Sequence, residues 1–293
     1  MGPQDARSRF GTVLQQARER GEAVGAFTCY DLLQFEAVVR AAEATARPVI
    51  VLVSPGSLGD PGGSRLVAAF RAAATSADVD VLVQLDHVKD GDLIDDAAAA
   101  GIDAVLADGS SMELADNVAF AAAMVERHRP AGVGFEGELG RIQGDEDRVS
   151  GAMAAGLTDP DDAERFVQQT GLDCLAVSIG NVHGTYREPP QLDWDRLAAI
   201  ADRCPVPLAL HGASGLEATD VRRAVTMGVA KVNYNTELRA AYLEAVERGA
   251  PAARARLDLR QLHSSAIDAV EAVVRSRIDL LTGGAVLPKG GLP

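Results

Sequence analysis

The chain has 293 residues, of which 47% are hydrophobic and 24% charged, so it can bury a full-sized core without a disulfide framework. Its formal net charge of −14 predicts repulsion from nucleic acids and from anionic membranes, so we expect neither as a partner. The cysteines Cys29, Cys174 and Cys204 form no CxxC pair, and we find neither a signal peptide nor an apolar run of about 18 residues, so we expect a cytoplasmic protein.

Eight short runs of apolar residues predict buried strands along the chain. Most of them are apolar throughout, which is typical of a sheet that is covered on both faces. We place them at residues 23–28, 48–53, 79–85, 103–107, 133–136, 174–179, 206–210 and 230–234.

Helical segments rich in Ala, Leu, Glu and Arg follow these strands. We place them at residues 32–46, 63–76, 93–100, 112–129, 161–170, 194–202, 218–227 and 236–248. A strand followed by a helix, repeated eight times, predicts a parallel sheet and favours closure into a (β/α)8 TIM barrel. An open, doubly wound sheet is the alternative α/β architecture.

A ninth helical stretch, at about residues 254–282, has no strand before it. We therefore predict one barrel domain over residues 1–293 with an extra C-terminal helical segment. We expect this segment to pack on the barrel or on a second subunit, and our expectation for the assembly is a homodimer or homotetramer.

Three of the five histidines follow predicted strands. His87 comes after the third strand, His183 after the sixth and His211 after the seventh, whereas His128 and His263 fall on helices. In such barrels the active site lies at the carboxyl ends of the strands, where imidazoles from different strands can meet. Three histidines with one open position form a typical catalytic zinc site, which we predict over the alternative of three separate structural roles.

Two acidic features accompany the histidines. Asp86 precedes His87, and a carboxylate beside a metal suits general acid–base catalysis; the alternatives are a helix cap or a partner that orients a ligating histidine. The connection between Glu136 and Gly156 is long, acidic and flanked by glycines. Such a connection is typical of a mobile lid and equally of a solvated charged loop.

The turns after the seventh and eighth strands predict a phosphate site. Residues 211–215 read His-Gly-Ala-Ser-Gly, and residues 233–236 read Asn-Tyr-Asn-Thr at the start of a helix. Barrels often bind phosphate in this region through backbone N–H groups and a helix N-terminus. Because the two turns belong to neighbouring strands, we expect them to meet.

Together these motifs resemble the class II fructose-bisphosphate aldolase family, and within it the shorter, tagatose-bisphosphate-like branch. The likeness extends from residue 25 to about residue 243. It includes Leu-Asp-His at 85–87, Glu-Leu-Gly at 138–140, Gly-Asp-Glu-Asp at 144–147, Leu-Thr-Asp-Pro at 157–160, Ser-Ile-Gly at 178–180, His-Gly-Thr-Tyr at 183–186 and the segments 211–215 and 231–237.

The resemblance implies a zinc-dependent aldolase that reversibly cleaves a phosphorylated ketose, such as fructose- or tagatose-1,6-bisphosphate, into dihydroxyacetone phosphate and an aldehyde. It implies His87, His183 and His211 as zinc ligands, with Glu138 able to approach the metal. It gives Asp86 the substrate hydroxyl proton and Glu146 the carbon-bound proton of dihydroxyacetone phosphate. The implied phosphate and triose contacts, some of them shared with a monovalent cation, are Gly184, Gly212, Ala213, Ser214, Asn233, Tyr234, Asn235 and Thr236.

Three positions depart from the family pattern. Thr28 stands where the family usually has Asn, Val88 where Gly or His is common, and Arg187 where Lys is usual. Because these changes leave the predicted metal centre intact, an aldolase of the same class acting on a different phosphorylated keto-sugar or sugar acid is the main competing hypothesis. We also consider a metal-dependent barrel hydrolase, although the chain has no HxH pair, and a non-catalytic aldolase-like binding protein.

Overall fold

The strands form a closed parallel barrel, which confirms the predicted (β/α)8 TIM architecture. The computed structural model describes residues 7–140, 142, 156–182 and 190–284. Each strand pairs with the next one along the chain, and β1 pairs with β8 to close the barrel. The strands are β1 (Val24–Thr28), β2 (Val49–Val53), β3 (Val81–Val88), β4 (Ala104–Ala107), β5 (Gly134–Leu139), β6 (Cys174–Val177), β7 (Leu208–Leu210) and β8 (Val229–Tyr234).

Helices surround the barrel and cover the outer face of its strands. A 3-10 turn over Arg129–Ala131 leads into β5. Within the described part of the chain the α-helices are α1 (Arg9–Glu19), α2 (Leu32–Thr45), α3 (Pro55–Gly59), α4 (Gly63–Ala74), α5 (Gly91–Ala99), α6 (Leu114–His128), α7 (Pro160–Thr170), α8 (Trp194–Arg203), α9 (Ala218–Thr226), α10 (Thr236–Arg256) and α11 (Leu259–Thr282). None of them is both long and apolar enough to cross a bilayer.

Two strands extend further than the apolar pattern predicts. The strand β3 continues to Val88 and β5 continues to Leu139, so His87 and Glu138 lie within strands instead of after them. The apolar runs stop earlier because polar side chains begin there, whereas the backbone pairing continues beyond them. The predicted strand ends therefore marked the change from an apolar to a polar interior.

The helix α1, which the apolar pattern did not predict, closes the amino-terminal end of the barrel. Its buried face consists of Phe10, Val13, Leu14 and Ala17. These side chains join the apolar cluster inside the barrel. Phe10 packs on the first residue of β5, where a Cβ added to Gly134 would lie 2.6 Å from the Phe10 Cβ atom.

The C-terminal extension begins later than predicted. Residues 254–256 belong to α10, which continues through Pro251 although proline removes a backbone hydrogen bond and normally ends or bends a helix. The chain turns at Leu257, whose φ of 54° is left-handed, and α11 follows. This helix packs against α2 and α10, and its Leu281 carbonyl accepts a hydrogen bond of 3.2 Å from Ala23 N at the start of β1.

We predict that Leu14→Ala lowers the free energy of unfolding by about 2–5 kcal/mol, because Leu14 is fully buried and its loss leaves a cavity at the barrel end. Urea unfolding followed by circular dichroism measures this change. Gln16→Ala, on the exposed face of the same helix, is the matched control. Equal unfolding midpoints for the two variants would show that α1 does not close the barrel.

Candidate active site

The interior of the barrel changes from apolar to polar towards the carboxyl ends of the strands. Strand residues alternate between the two faces, so every second side chain points inward. The apolar inward cluster contains Val24, Ala26, Ile50, Leu52, Leu82, Ala104, Cys174, Ala176 and Ala209. Two or four residues further along these strands, and at positions paired with them in register, the buried inward side chains are polar. They are Thr28, Gln84, Asp86, Asp108, Glu136, Ser178, His211 and Lys231.

A bulge in β3 directs two consecutive side chains towards this polar region. The pairing of β3 with β4 shifts register between Leu85 and Val88, and His87 has a φ of 48°. A bulge inserts one extra residue and rotates the side chains around it, so Asp86 and His87 can both face the barrel mouth. A left-handed conformation costs a non-glycine residue roughly 1–2 kcal/mol, and such strain is concentrated at functional sites.

The imidazoles of His87 and His211 face each other across the barrel. His87 Nε2 lies 3.0 Å from His211 Nδ1, and the two rings are nearly perpendicular. The other nitrogen of each ring meets a carboxylate: His87 Nδ1 is 3.1 Å from Asp108 Oδ2, and His211 Nε2 is 2.8 Å from Glu136 Oε1. A carboxylate partner holds the N–H on its own side of the ring, so the two facing nitrogens present their lone pairs to each other.

Two facing lone pairs at this distance repel unless a proton or a cation lies between them. The carboxylate of Asp86 completes the cluster, because ligand atoms of Asp86, His87 and His211 lie within 4.8 Å of one another. Neutral imidazoles oriented by carboxylates are typical of zinc sites. The donor set therefore fits a zinc ion bound between His87 and His211.

A fully buried ion pair supports His211. Glu136 Oε2 is 2.8 Å from both Lys231 Nζ and Gln84 Nε2. Burial alone would raise the pKa of Glu136, but the Lys231 charge and the His211 hydrogen bond outweigh it and bring that pKa well below its usual range. Burial lowers the pKa of His211, and Glu136 offsets this only in part, so the imidazole is neutral and donates from Nε2.

Lys231 is held as a cation and is unsuited to act as a nucleophile. Burial alone would lower its pKa, but the negative charges of Glu136 and Asp86 and the hydrogen bond to Glu136 together outweigh burial, and the pKa lies above the usual value for lysine. Its Nζ also donates to Asn233 Oδ1 at 2.7 Å, and Asn233 Nδ2 donates to Asp86 Oδ2 at 3.2 Å. Asp86 is thereby fixed through one oxygen, while its buried Oδ1 has no hydrogen-bond partner among the described residues.

The buried carboxyl of Glu138 lies on the other side of His87. Its Oε2 is 3.7 Å from His87 Nδ1, and Glu138, His87 and Asp108 form a second cluster of ligand atoms. Burial raises the pKa of Glu138 to about 8. Burial alone would also raise the pKa of Asp108, but the interactions with His87 and the hydrogen bonds from Ser110 together outweigh it and hold that pKa below its usual range.

The predicted phosphate residues lie at the ends of the neighbouring strands β7 and β8. A Cβ on Gly212, whose φ is 65°, would lie 2.1 Å from the Val182 carbonyl oxygen, so only glycine allows the turns after β6 and β7 to approach this closely. Ala213 and Ser214 continue this turn, while Asn235 precedes the first helical residue of α10, Thr236. The two predicted phosphate turns are therefore adjacent.

Tyr234 differs from the other predicted contacts. Its ring faces the outer layer, where it stacks on Phe27 at 5.8 Å and carries the Arg277 guanidinium above it at 5.6 Å. Its side chain therefore cannot line a site inside the barrel. Of the other predicted site residues, Glu146, His183 and Gly184 lie outside the described residues, as does Arg187.

Sequence patterns did not assign a role to Asp108, Gln84 or Glu136. Gln84 and Glu136 lie on the inward faces of β3 and β5, and Asp108 directly follows the end of β4. Counting in steps of two along the chain reaches Gln84 from Leu82, Asp108 from Ala104 and Glu136 from Gly134, so side-chain alternation could have placed all three inside the barrel. The departure Thr28 lies in the same interior, and its buried Oγ1 has no hydrogen-bond partner within the described ranges.

Comparison with known proteins gives one family across almost the whole chain. The family model described as "Fructose-bisphosphate aldolase class-II" matches residues 8–284. A solved structure from Coccidioides immitis, assigned as a fructose-1,6-biphosphate aldolase, is 31% identical with a TM-score of 0.86 and covers 94% of this chain and 96% of its own.

Two bacterial structures are also similar. The YdjI aldolase from Escherichia coli K12 is 28% identical with a TM-score of 0.82, and the match covers 94% of this chain and 97% of that one. The fructose-bisphosphate aldolase from Campylobacter jejuni is 22% identical with a TM-score of 0.79, and 93% of each chain is covered. At that identity, the Campylobacter structure supports the fold alone.

We predict that His211→Ala weakens Zn²⁺ binding by at least about 100-fold, since it removes a ligand, whereas loss of a supporting residue costs about 10–100-fold. Competition with a chromophoric chelator measures the affinity. His128→Ala is the matched control, because His128 lies on α6 and pairs with Asp95 at 2.7 Å outside the barrel. Unchanged zinc affinity in His211→Ala would exclude the facing pair as the metal site.

Proposed function

The chain belongs to the class II fructose-bisphosphate aldolase family, and from that membership we propose that it is a zinc-dependent aldolase acting on a phosphorylated ketose. In the cleavage direction the products are dihydroxyacetone phosphate and an aldehyde. The observation that carries this proposal is the facing pair His87 and His211, each oriented by its own carboxylate beside the buried Asp86.

Three histidines would hold the zinc in this proposal: His87 through Nε2, His211 through Nδ1, and His183. Support for His183 comes from the segment just before it, because Asn181 Nδ2 donates to the His211 carbonyl oxygen at 3.1 Å. The close approach of Val182 to Gly212 brings the same segment to the rim of β7. When bound, zinc supplies a Lewis acid that stabilises negative charge on the carbonyl oxygen of the donor.

Asp86 is the proposed base for the substrate hydroxyl. Asn233 and Lys231 fix one of its oxygens, so the other keeps a defined position in the mouth of the barrel. After the hydroxyl proton is removed, the electrons on that oxygen form the aldehyde carbonyl. The electrons of the broken carbon–carbon bond pass to the carbon of the donor, dihydroxyacetone phosphate. A carboxylate held on rigid strands can take this proton without moving.

Two further acidic residues have proposed roles at the same centre. Glu138 offers a second position for the metal, because its Oε2 is buried beside His87. Glu146 is the proposed acid that returns a proton to the donor carbon, and this role rests on the family motif at residues 144–147. The assignment gives the two proton transfers to two different residues, Asp86 on β3 and Glu146 in the motif at residues 144–147.

The phosphate of the substrate is proposed to bind at the turns after β6, β7 and β8. The first turns of helices carry N–H groups without helical partners, and these attract anions at the start of α10. A monovalent cation is proposed at the same turns. The proposed contacts are Gly184, Gly212, Ala213, Ser214, Asn233, Asn235 and Thr236, together with the backbone of Tyr234.

The substrate is proposed to resemble fructose- or tagatose-1,6-bisphosphate. A phosphorylated keto-sugar or sugar acid of different structure is the second candidate, because Thr28 places a small hydroxyl in the polar interior where the family usually has an amide. Membership of an aldolase family favours either lyase over a barrel hydrolase or a non-catalytic binding protein.

We predict that metal-free protein is inactive, that zinc restores turnover, and that phosphorylated ketoses have a much higher kcat/KM than the free sugars. Binding energy from the remote phosphate helps to orient the reacting carbons. A coupled assay of released dihydroxyacetone phosphate, run over ketose mono- and bisphosphates, measures this, and a parallel aldehyde assay covers the free sugars. Full turnover without metal would overturn the zinc proposal, and equal kcat/KM for a sugar and its phosphate would overturn the phosphate proposal.

Variants of the two acids should separate the two proton transfers. We predict that Asp86→Asn lowers kcat for cleavage about 10²–10⁴-fold with zinc still bound, the usual value of a general base. Glu146→Ala should instead slow exchange of the carbon-bound proton of dihydroxyacetone phosphate and leave its carbanion open to an added oxidant. Isotope exchange measures the transfer of the carbon-bound proton, and oxidant consumption measures the carbanion that accumulates. A wild-type exchange rate in Glu146→Ala would show that another group carries that proton.

A further inference from the structure

The C-terminal helix α11 reaches the turn after β7 through one carboxylate. Arg277, on α11, donates from Nε to Glu237 Oε1 at 3.1 Å. Ser214, in the turn after β7, donates its hydroxyl to the other oxygen, Glu237 Oε2. Because Glu237 lies in the first turn of α10, a single side chain links the two turns with α11.

Arg277 is also held from a second direction. Its guanidinium lies over the ring of Tyr234, which is buried at the end of β8, and this contact is a cation–π interaction. The arginine is therefore fixed between an aromatic face and a carboxylate. A side chain restrained in this way can hold its partner in place.

The space behind the turn is not filled by side chains. A cavity of about 220 Å³ lies between the turn, α10 and α11, and Ser214, Glu237 and Arg277 are among the residues that line it. Side-chain packing therefore does not support the turn on the side of this cavity. The contacts through Glu237 are what restrain the turn on this side.

The charge of Arg277 matters as much as its position. Glu237 lies at the start of α10, where the proposed phosphate would bind, and an unbalanced carboxylate there would repel an anion. The guanidinium neutralises this carboxylate, and the Ser214 hydroxyl donates its hydrogen bond to Glu237 and not to the phosphate. The phosphate would therefore meet backbone N–H groups that are held in place and not opposed by a negative charge.

We propose that Arg277 and Glu237 are positioning residues that set the affinity of the enzyme for the phosphate group of its substrate. This inference rests on the proposed function, in which the turns after β7 and β8 hold that phosphate. It gives the C-terminal extension a role in substrate recognition in addition to its packing on the barrel.

Charge balance predicts a result that loss of packing would not give. Arg277→Met should weaken competitive inhibition by inorganic phosphate roughly tenfold, as expected for one unbalanced charge at a partly exposed site. It should raise KM for the phosphorylated ketose by a similar factor while kcat and zinc content change little. Arg277→Lys should restore part of the loss, because lysine keeps the charge but not the fixed geometry.

The double variant Arg277→Met/Glu237→Gln distinguishes charge balance from loosening of the turn. With Glu237→Gln measured beside it, the double variant should bind phosphate better than Arg277→Met, because the opposing charge is gone. Independent structural losses would instead add, making the double variant the weakest. That additive result, or unchanged phosphate inhibition in Arg277→Met, would overturn the proposal.

Arg222→Met is the matched control. Arg222 also anchors α11, since its Nη1 donates to the carbonyl oxygens of Leu280 at 3.3 Å and Leu281 at 3.0 Å, but it does not contact Glu237. Its loss should leave phosphate inhibition unchanged. A weakening equal to that in Arg277→Met would instead show general loosening of α11 and would contradict the proposal.

Two outcomes separate this inference from the proposed function. If phosphate fails to inhibit the wild-type enzyme, the proposed phosphate site fails together with this inference. If phosphate inhibits wild type and Arg277→Met equally, only the inference is overturned.

Discussion

The hydrogen bond from His211 Nε2 to Glu136 is the interaction on which the centre of the barrel depends. Lys231 keeps Glu136 ionised, Glu136 fixes which nitrogen of His211 carries the proton, and the remaining lone pair points at His87. Burying two charges costs free energy that a well-packed apolar pair would not. The network is therefore better understood as a means of positioning a metal ligand than as a source of stability.

The same network links the proposed metal centre to the proposed acid–base chemistry. Lys231 contacts both Glu136 and Asn233, and Asn233 orients Asp86, so one buried cation organises both the ligand His211 and the proposed base. A lysine held in this way cannot form a Schiff base with the substrate carbonyl. The proposal therefore assigns the stabilisation of negative charge to the metal that the histidine pair would hold.

Much of the fold was predictable because a barrel repeats one simple unit, and the residues after each apolar run face a common rim. His87, His211 and Asp86 could be found in this way. The bulge that brings Asp86 and His87 to the same side could not, because the local sequence shows neither the register shift nor the left-handed φ of His87. The alternation of side chains along the strands could place Glu136 and Lys231 inside the barrel but could not show that they pair. The contact between Glu237 and Arg277 joins residues that only the folded chain brings together.

The most direct test of the zinc site is a crystal structure of the zinc-loaded protein, with anomalous diffraction collected on both sides of the zinc absorption edge. We predict one strong anomalous peak between His87 and His211, bonded to Nε2 of the first and Nδ1 of the second, while Glu136 remains hydrogen bonded to His211 Nε2. A zinc ion bound elsewhere, or one bound through Nε2 of His211 with Glu136 displaced, would contradict this prediction.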